Sequence, residues 1–596
     1  MLPLHTYQSR AAHFENDQNR AQRTYNWWAT GRLVWFFVTI LFAYVLFKNS
    51  QTAWGWATLG AGILGFVVLL RRHLAVKKRL ERFKNLVFVN KDEAARTDLI
   101  FLRPETGVEF VPVAHPYCTD LDLFGKHAIY RLLNRTHTQE GAQKLANWLL
   151  YPADTDEIHL RQEAVEELKN KIDWQQDLQA TALAHPAIEQ PTAFLHNWIN
   201  EPANARVVQW QKWRWLLPAC TICSVVLAFF GYIISAVPVG LYLVSLYITS
   251  RTSNYAKYVS EKTTPIVGTL SGIASLAKQV EDSDFKSTKL KHLRWLLRSD
   301  GASASAAIAQ LRTITDNLSF RLNPYFALVF GIPLLWDLHA LSQLETWKQN
   351  HRHALGAWLN ALAEAEGINS LAGFALANPD FIVPQITLGN FEIDLTQVGH
   401  PLIGAQKRVA NDFNMTGVGQ TALITGANMA GKSTFLRTVA LNLVLAQMGA
   451  VVCARSFRCA PLRLFTSMRT QDSLEENTSS FYAELKRLKT LLELSETPGD
   501  TILYFLDEIL KGTNSADRHN GARALILQLH DLNASGFVST HDIELGALGD
   551  THSFVKNYHV HSDVKDGELI FDYLLQDGIC RSFNASQLMR ALGIKL

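Results

Sequence analysis

Thr421-Ala-Leu-Ile-Thr-Gly426-Ala-Asn-Met-Ala-Gly431-Lys432-Ser433-Thr434 is the stretch on which the reading of this chain turns. Residues suited to a buried strand run into G-x-x-x-x-G-K-S, and an apolar helical stretch, 435–447, follows. Strand, glycine loop and helix thus come in the order that a phosphate-cradling loop requires. Gly426 and Gly431 let the loop curl with its N–H groups turned inward, and the helix N-terminus adds its positive end. Lys432 is placed to neutralise the β- and γ-phosphates, and Ser433 to ligate Mg²⁺. Gly426, Ala427, Asn428, Met429, Ala430, Gly431, Lys432, Ser433 and Thr434 are therefore the candidate ATP-binding residues.

Further along, Thr501-Ile-Leu-Tyr-Phe-Leu506-Asp507-Glu508 reads as a buried strand ending in two carboxylates. Adjacent residues on a strand face opposite ways. Asp507 is expected in the Mg²⁺ shell, and Glu508 is expected to orient and polarise an attacking water.

Working outward, short β-like runs from about residue 381 give way to apolar strands alternating with helical stretches, the pattern of a mostly parallel α/β domain. This domain is expected over 396–596. Residues 81–214 and 251–395 are rich in Leu, Ala, Glu, Lys and Gln, with apolar residues at helical spacing, and read as two halves of an all-α core.

Between Arg32 and Arg71 the only charged residue is Lys48. The apolar blocks at about 33–47 and 53–70 approach the roughly 20 residues that a bilayer span needs. Residues 1–80 are thus expected to carry a transmembrane hairpin. A second hairpin is expected at 215–250, which has no charge and carries Gly231 and Pro238 near its middle. The competing reading of each block is a buried helix pair in a soluble core. Arg20, Arg23 and Arg32 precede the first block, and Arg71, Arg72, Lys77, Lys78 and Arg79 follow it. Lys212, Arg214, Arg251 and Lys257 flank the second in the same way, and positive flanks stay cytoplasmic. The expectation is a multi-pass protein of an inner or plasma membrane with its ATPase domain on the cytoplasmic side. Trp27 and Trp28 suit an interfacial anchor better than a cleaved signal peptide.

Bulk charge is close to balanced, with 57 Lys and Arg against 54 Asp and Glu, so composition alone points to no polyanionic partner. Six cysteines without dense spacing exclude a disulfide framework. Cys220 and Cys223 lie in an apolar run with no second pair to complete a zinc site, and are expected to pack. His559 and His561 alternate as exposed strand residues do.

The nucleotide loop, with its Asn428-Met429, resembles that of the MutS mismatch-repair family. Asp507-Glu508-Ile-Leu-Lys-Gly512-Thr513-Asn514-Ser515 resembles the family's second ATPase motif, and Ser539-Thr540-His541 its switch histidine. Ser479-Ser480-Phe481-Tyr-Ala-Glu484 resembles the segment whose first serine reaches a partner's γ-phosphate. No Leu-Ser-Gly-Gly-Gln transporter signature stands in the matching stretch. Upstream, Leu121 to Gly125, Asn134-Arg135-Thr136 and Trp148 to Pro152 resemble the start of the MutS helical core, with packing and capping roles. The resemblance implies a multi-domain protein: a C-terminal α/β P-loop ATPase of ABC type, an all-α core and, here, transmembrane helices. It also implies ATP and Mg²⁺ at a composite site in a homodimer formed through the ATPase domains. Glu508, His541 and Ser479 would be catalytic, Ser433 and Asp507 would hold the metal, and Asn411 and Asp412 would lie on the adenine side.

Two departures bear on function. No Phe is followed two positions later by Glu, so the family's mismatch-reading wedge is not visible. Arg408 falls where an aromatic residue would stack on the base; a guanidinium can also stack. Lys286, Lys289, Lys291, Arg294 and Arg298 surround Trp295, and three readings stay open: a solvated helix face, contact with lipid headgroups, or contact with nucleic acid. Two functions remain. One is a membrane-tethered, DNA-associated ATPase without mismatch specificity. The other is a membrane mechanochemical or scaffold ATPase with no DNA, working on membrane lipid and protein partners that the sequence does not identify.

Overall fold

The computed structural model describes residues 3–185, 193–263, 266–298, 303–389, 391–427, 430–469, 480–497, 501–565 and 568–580. The chain is mostly helical, with mixed sheets in its C-terminal part. By contacts it divides into two units, each drawn from several stretches. Met1–Ala94, Arg135–Ala142 and Lys171–Gly367 form one, and Ala95–Asn134, Gln143–Asn170 and Ile368–Leu596 form the other.

The first unit is helical among the described residues. Its two longest helices, Pro3–Lys48 and Thr52–Thr97, have 46 residues each, or ~69 Å at 1.5 Å per residue. The apolar blocks at 33–47 and 53–70 lie inside these helices, which continue unbroken into polar segments. The Trp35 indole donates to Gly62 O at 2.9 Å, Phe47 meets Trp56 edge-on, and Lys91 pairs with Glu15 at 2.7 Å. The helices therefore run antiparallel along their length. Within the blocks the outward side chains are apolar, with Leu33, Phe37, Leu41, Phe42, Ile63 and Leu64 each more than half exposed. Both helices are long and apolar enough to cross a membrane.

The second apolar block forms the helices Trp213–Phe229 and Ala236–Thr263. The first has 17 residues, short for a span, with Pro218 inside it. Cys220 and Cys223 are free thiols on its exposed surface, not packed side chains in an interior.

Several buried polar groups in this unit are paired. Arg135 and Glu93 meet at 2.6 Å, both almost wholly enclosed. The Glu366 carboxylate accepts from His137 N at 2.8 Å and from the Thr138 hydroxyl. The basic cluster falls on and just before the helix Thr288–Arg298, and acids draw on much of it. Lys289 pairs with Glu364 at 3.2 Å, Arg294 with Asp284 at 3.5 Å and Arg298 with Asp282 at 3.9 Å.

The second unit holds two sheets. Strands β1 (Gln385–Ile386), β2 (Glu392–Val398), β3 (Asn411–Thr416) and β5 (Ser456–Cys459) pair in the order β1-β5-β2-β3. Strands β4 (Thr421–Thr425), β6 (Arg463–Ser467), β7 (Ile502–Asp507), β8 (Ser535–Thr540), β9 (Val555–Lys565) and β10 (Glu568–Asp577) form a sheet ordered β10-β9-β4-β8-β7-β6. Pairing is parallel from β9 to β6, and β10 runs antiparallel to β9. Strands buried on both faces read as continuous apolar runs. Every residue of β4 is buried, and β7 is buried until Asp507. Phe505 and Phe537 stack with centroids 4.9 Å apart between neighbouring strands, which locks β7 to β8. The arrangement brings the carboxyl ends of β4, β8 and β7 side by side, the place where open α/β sheets bind ligands.

Candidate nucleotide site

Each of these three strands delivers one part of the site. After β4 the chain turns through Gly426, at φ 148°, and Gly431, at φ 94°, into the helix Lys432–Gln447. Gly431 is required twice over. Its backbone is left-handed, and a Cβ there would stand 2.8 Å from the Tyr573 ring. Lys432 Nζ donates to Gly426 O at 2.8 Å and Ala427 O at 3.0 Å, which holds its charge at the centre of the loop. Burial pulls the Lys432 pKa down, while Glu508 and Asp507 oppose that shift.

After β7, Asp507 accepts a hydrogen bond from the Ser539 hydroxyl on β8. Glu508 has other partners. Its Oε1 lies 2.5 Å from His541 Nε2, just beyond the end of β8, and its Oε2 lies 2.8 Å from Lys511 Nζ. The His541 hydrogen bond does most to hold the Glu508 pKa down, at about 2, with Lys511 adding and burial opposing. Glu508 sits at φ 50° and Leu510 at φ 61°, a backbone region that non-glycine residues rarely adopt. Glu484 Oε1 accepts from Leu510 N at 2.5 Å and secures this turn. A Cβ on Gly512 would stand 2.5 Å from that of Phe481, so the start of the helix Ser480–Ser495 packs directly on the same loop.

A cavity of about 600 Å³ joins these parts. Ala427, Gly431, Lys432, Ser433, Thr434 and Glu508 line it, so residues from both ATPase motifs face one space. Asn411 lines it too, while its side chain is engaged with Tyr573 O at 3.1 Å and Leu575 N at 2.7 Å. Among the described residues, Gly426, Ala430, Asp412, Asp507 and His541 are not part of this wall. The Asp412 carboxylate accepts from Gln397 N at 2.7 Å. Ala430 is fully buried. Asn428, Met429 and Ser479 lie outside the described residues.

Two further wall residues carry no signal in any sequence motif. Tyr573, at φ 56° in an irregularity of β10, presents an aromatic ring to the cavity. His400 faces it as well, its pKa pushed down to about 4 by burial and by Arg437 and Arg408. Arg408 itself is engaged in the fold. Its Nε donates to His400 O at 3.1 Å and Ile403 O at 3.0 Å, and its guanidinium lies over Phe381. Tyr573 thus brings an aromatic ring to this cavity from β10, at the far end of the domain sequence.

Residues 422–591 match the family model for MutS domain V. Similarity extends to DNA mismatch repair proteins MutS of Chloroflexus aurantiacus, 33% identical over 238 residues, and of Leuconostoc mesenteroides subsp. mesenteroides, 36% identical over 226. DNA mismatch repair protein MutS 1 of Halobacterium salinarum is 33% identical over 221 residues. These alignments take in 39%, 36% and 37% of this chain and 24%, 26% and 25% of the relatives. The chain thus spans about a quarter of the length of the curated relatives it matches. Over this C-terminal part, the chain is similar to the MutS family.

Proposed function

We propose that this chain is a membrane-anchored, MutS-like ATPase that binds ATP with Mg²⁺ and hydrolyses it at a composite site between two copies of itself. The observation that carries the reading is the single cavity that faces Lys432, Ser433 and Glu508 at the carboxyl ends of the parallel strands β4 and β7, which flank β8. Lys432, at the centre of the loop, meets phosphate charge, and the helix it opens presents unpaired N–H groups to the same anion. The donor chemistry fits Mg²⁺: the Ser433 hydroxyl and the Asp507 carboxylate are hard oxygen ligands, and Ser539 orients the latter. Bound there, the ion would neutralise phosphate charge. Glu508, ionised and aligned by His541 and Lys511, serves as the acceptor that orients water. The Tyr573 ring offers a stacking surface for the base. Ser479 acts on the partner's nucleotide.

The helices Pro3–Lys48 and Thr52–Thr97 support integral anchoring in an inner or plasma membrane, since their exposed mid-sections match hydrocarbon and their flanks are basic. The ATPase domain then lies on the cytoplasmic side. The relatives' names speak of mismatch repair. For this chain, DNA association without mismatch selection is the corresponding reading, because no Phe-x-Glu wedge is present. Pairing of Lys289, Arg294 and Arg298 with acids weakens the basic cluster as a phosphate surface. That observation favours the second reading, a membrane mechanochemical or scaffold ATPase with no DNA. ATP hydrolysis by the detergent-solubilised full chain, measured with duplex DNA and separately with lipid vesicles, tests both. Absence of any Mg²⁺-dependent turnover would refute the ATPase reading itself.

A further inference from the structure

Residues 322–336 of the helical unit, Leu-Asn-Pro-Tyr-Phe-Ala-Leu-Val-Phe-Gly-Ile-Pro-Leu-Leu-Trp, contain no charge. A short helix, Pro324–Phe326, capped by Asn323, passes into a π-helical turn, Ala327–Gly331. The chain then bends by 87° into the helix Trp336–His351. Leu322, Tyr325, Leu328, Val329 and Phe330 are each more than half exposed, a contiguous apolar row that water disfavours.

Three features say what covers this row. The first is its position. The Tyr242 hydroxyl donates to Leu328 O at 3.2 Å, so the segment lies beside the apolar half of the helix Ala236–Thr263, which exposes Leu243, Val244 and Leu246. The second is its backbone. Asn323 Oδ1 accepts from Tyr325 N and Phe326 N at 3.0 and 3.2 Å, and Asn323 O accepts from Ala327 N at 2.9 Å. Ile332 N donates to Ala327 O at 2.8 Å, and Leu334 N and Leu335 N donate to Phe330 O and Ile332 O at 3.1 Å each. Pro324 and Pro333 have no N–H to satisfy. Hydrocarbon demands such internal pairing of an exposed, irregular backbone, and water does not.

The third feature is charge. Arg321 pairs with Asp337 at 3.3 Å, and its Nη2 donates to Ser253 Oγ at 3.1 Å. Both ends of the segment are thereby fastened at one level, two residues from Arg251, where the adjacent apolar run ends. A segment with both ends at one level enters and leaves by the same side. The helix that follows buries Leu338, Leu341, Leu344 and Trp347 within the protein, so it is not the second half of a span.

We propose that residues 322–335 form a re-entrant loop that dips into one leaflet of the bilayer beside 215–250, with the lipid acyl region as its occupant. This inference rests on the reading that 215–250 lies in the membrane. The test uses the full chain with Cys220→Ser and Cys223→Ser, whose four remaining cysteines are buried. Val329→Cys, Leu328→Cys and Leu243→Cys are made singly, nitroxide-labelled and reconstituted in phosphatidylcholine and phosphatidylglycerol vesicles. The readout is collision with oxygen, which partitions into lipid, relative to collision with a water-soluble nickel chelate. A ratio above unity at positions 243 and 329 or 328 is the expected result. A ratio above unity at 243 but below it at 328 and 329 overturns the re-entrant loop and leaves the membrane reading standing. Ratios below unity at all three positions overturn both. Protection of 328 and 329 from both reagents identifies a protein cover, such as a second copy, and also overturns the proposal.

Discussion

Glu508 and His541 meet at 2.5 Å across the ends of neighbouring strands, and Lys511 holds the other carboxylate oxygen. This contact keeps Glu508 ionised far below neutral pH and fixes its orientation. Glu508→Gln should therefore bind ATP nearly as the parent does while turnover falls, by roughly a hundredfold if the carboxylate works as a general base. Unchanged turnover would remove Glu508 from the chemistry.

The depressed Glu508 pKa also sets a pH dependence. A carboxyl ionised more readily in the folded chain stabilises it fully above its ordinary value, 4.5, and loses that contribution as pH falls to about 2. The Tm difference between the parent and Glu508→Gln in detergent should shrink over that window. A difference that is constant from neutral pH to pH 2 would contradict the assigned pairing.

In the proposed site Lys432 meets bound phosphate in the ground state, so Lys432→Ala should weaken nucleotide binding itself, by about 1.4 kcal/mol or more, a tenfold rise in Kd. Equilibrium binding of a fluorescent ATP analogue reads this directly. The contrast with Glu508→Gln, which affects rate and spares affinity, separates the two roles.

Glu484 holds Leu510 N and thereby the strained turn that presents Glu508. Glu484→Ala should lower kcat by up to about a hundredfold, the effect of a misplaced catalytic group, with KM changed little. Glu484→Gln, which keeps an acceptor oxygen, should recover part of the loss. An equal loss in both variants, confined to KM, would assign Glu484 to binding.

Much of this site was legible because its chemistry is local. Lys432, Ser433 and Asp507-Glu508 sit in contiguous motifs whose strand and loop context fixes where they point. Tyr573 had no such signal, since only the pairing of β10 with β9 and of β9 with β4, plus an irregularity near 571–575, brings its ring to Gly431. Arg408 was legible as a position and not as a role, because its partners are carbonyl oxygens that no side-chain pattern marks. The three readings of the basic cluster stayed open in the sequence because the pairing of Lys289 with Glu364, 75 residues beyond it, is made by the fold and marked by no local pattern. The segment 322–336 escaped notice because it is shorter than a span and its exposure depends on the bend at Leu335, at φ 48°.

For the anchor, the account expects a chain lacking residues 1–80 to remain in the carbonate-resistant membrane pellet through 215–250. Removal of both blocks should be needed for release. Full solubility after the first deletion would assign 215–250 to a soluble helix pair.

The central claim, an ATPase completed by a second copy, is tested most directly by mixing two inactive chains in one vesicle. Ser479→Ala keeps its own nucleotide loop and lacks the serine donated to the partner, whereas Lys432→Ala keeps the serine and lacks the loop. Co-reconstituted, they restore one intact composite site in each mixed dimer, and ATP turnover should rise above the sum of the two measured separately. Turnover equal to that sum, with both variants folded and co-localised, would contradict a shared site.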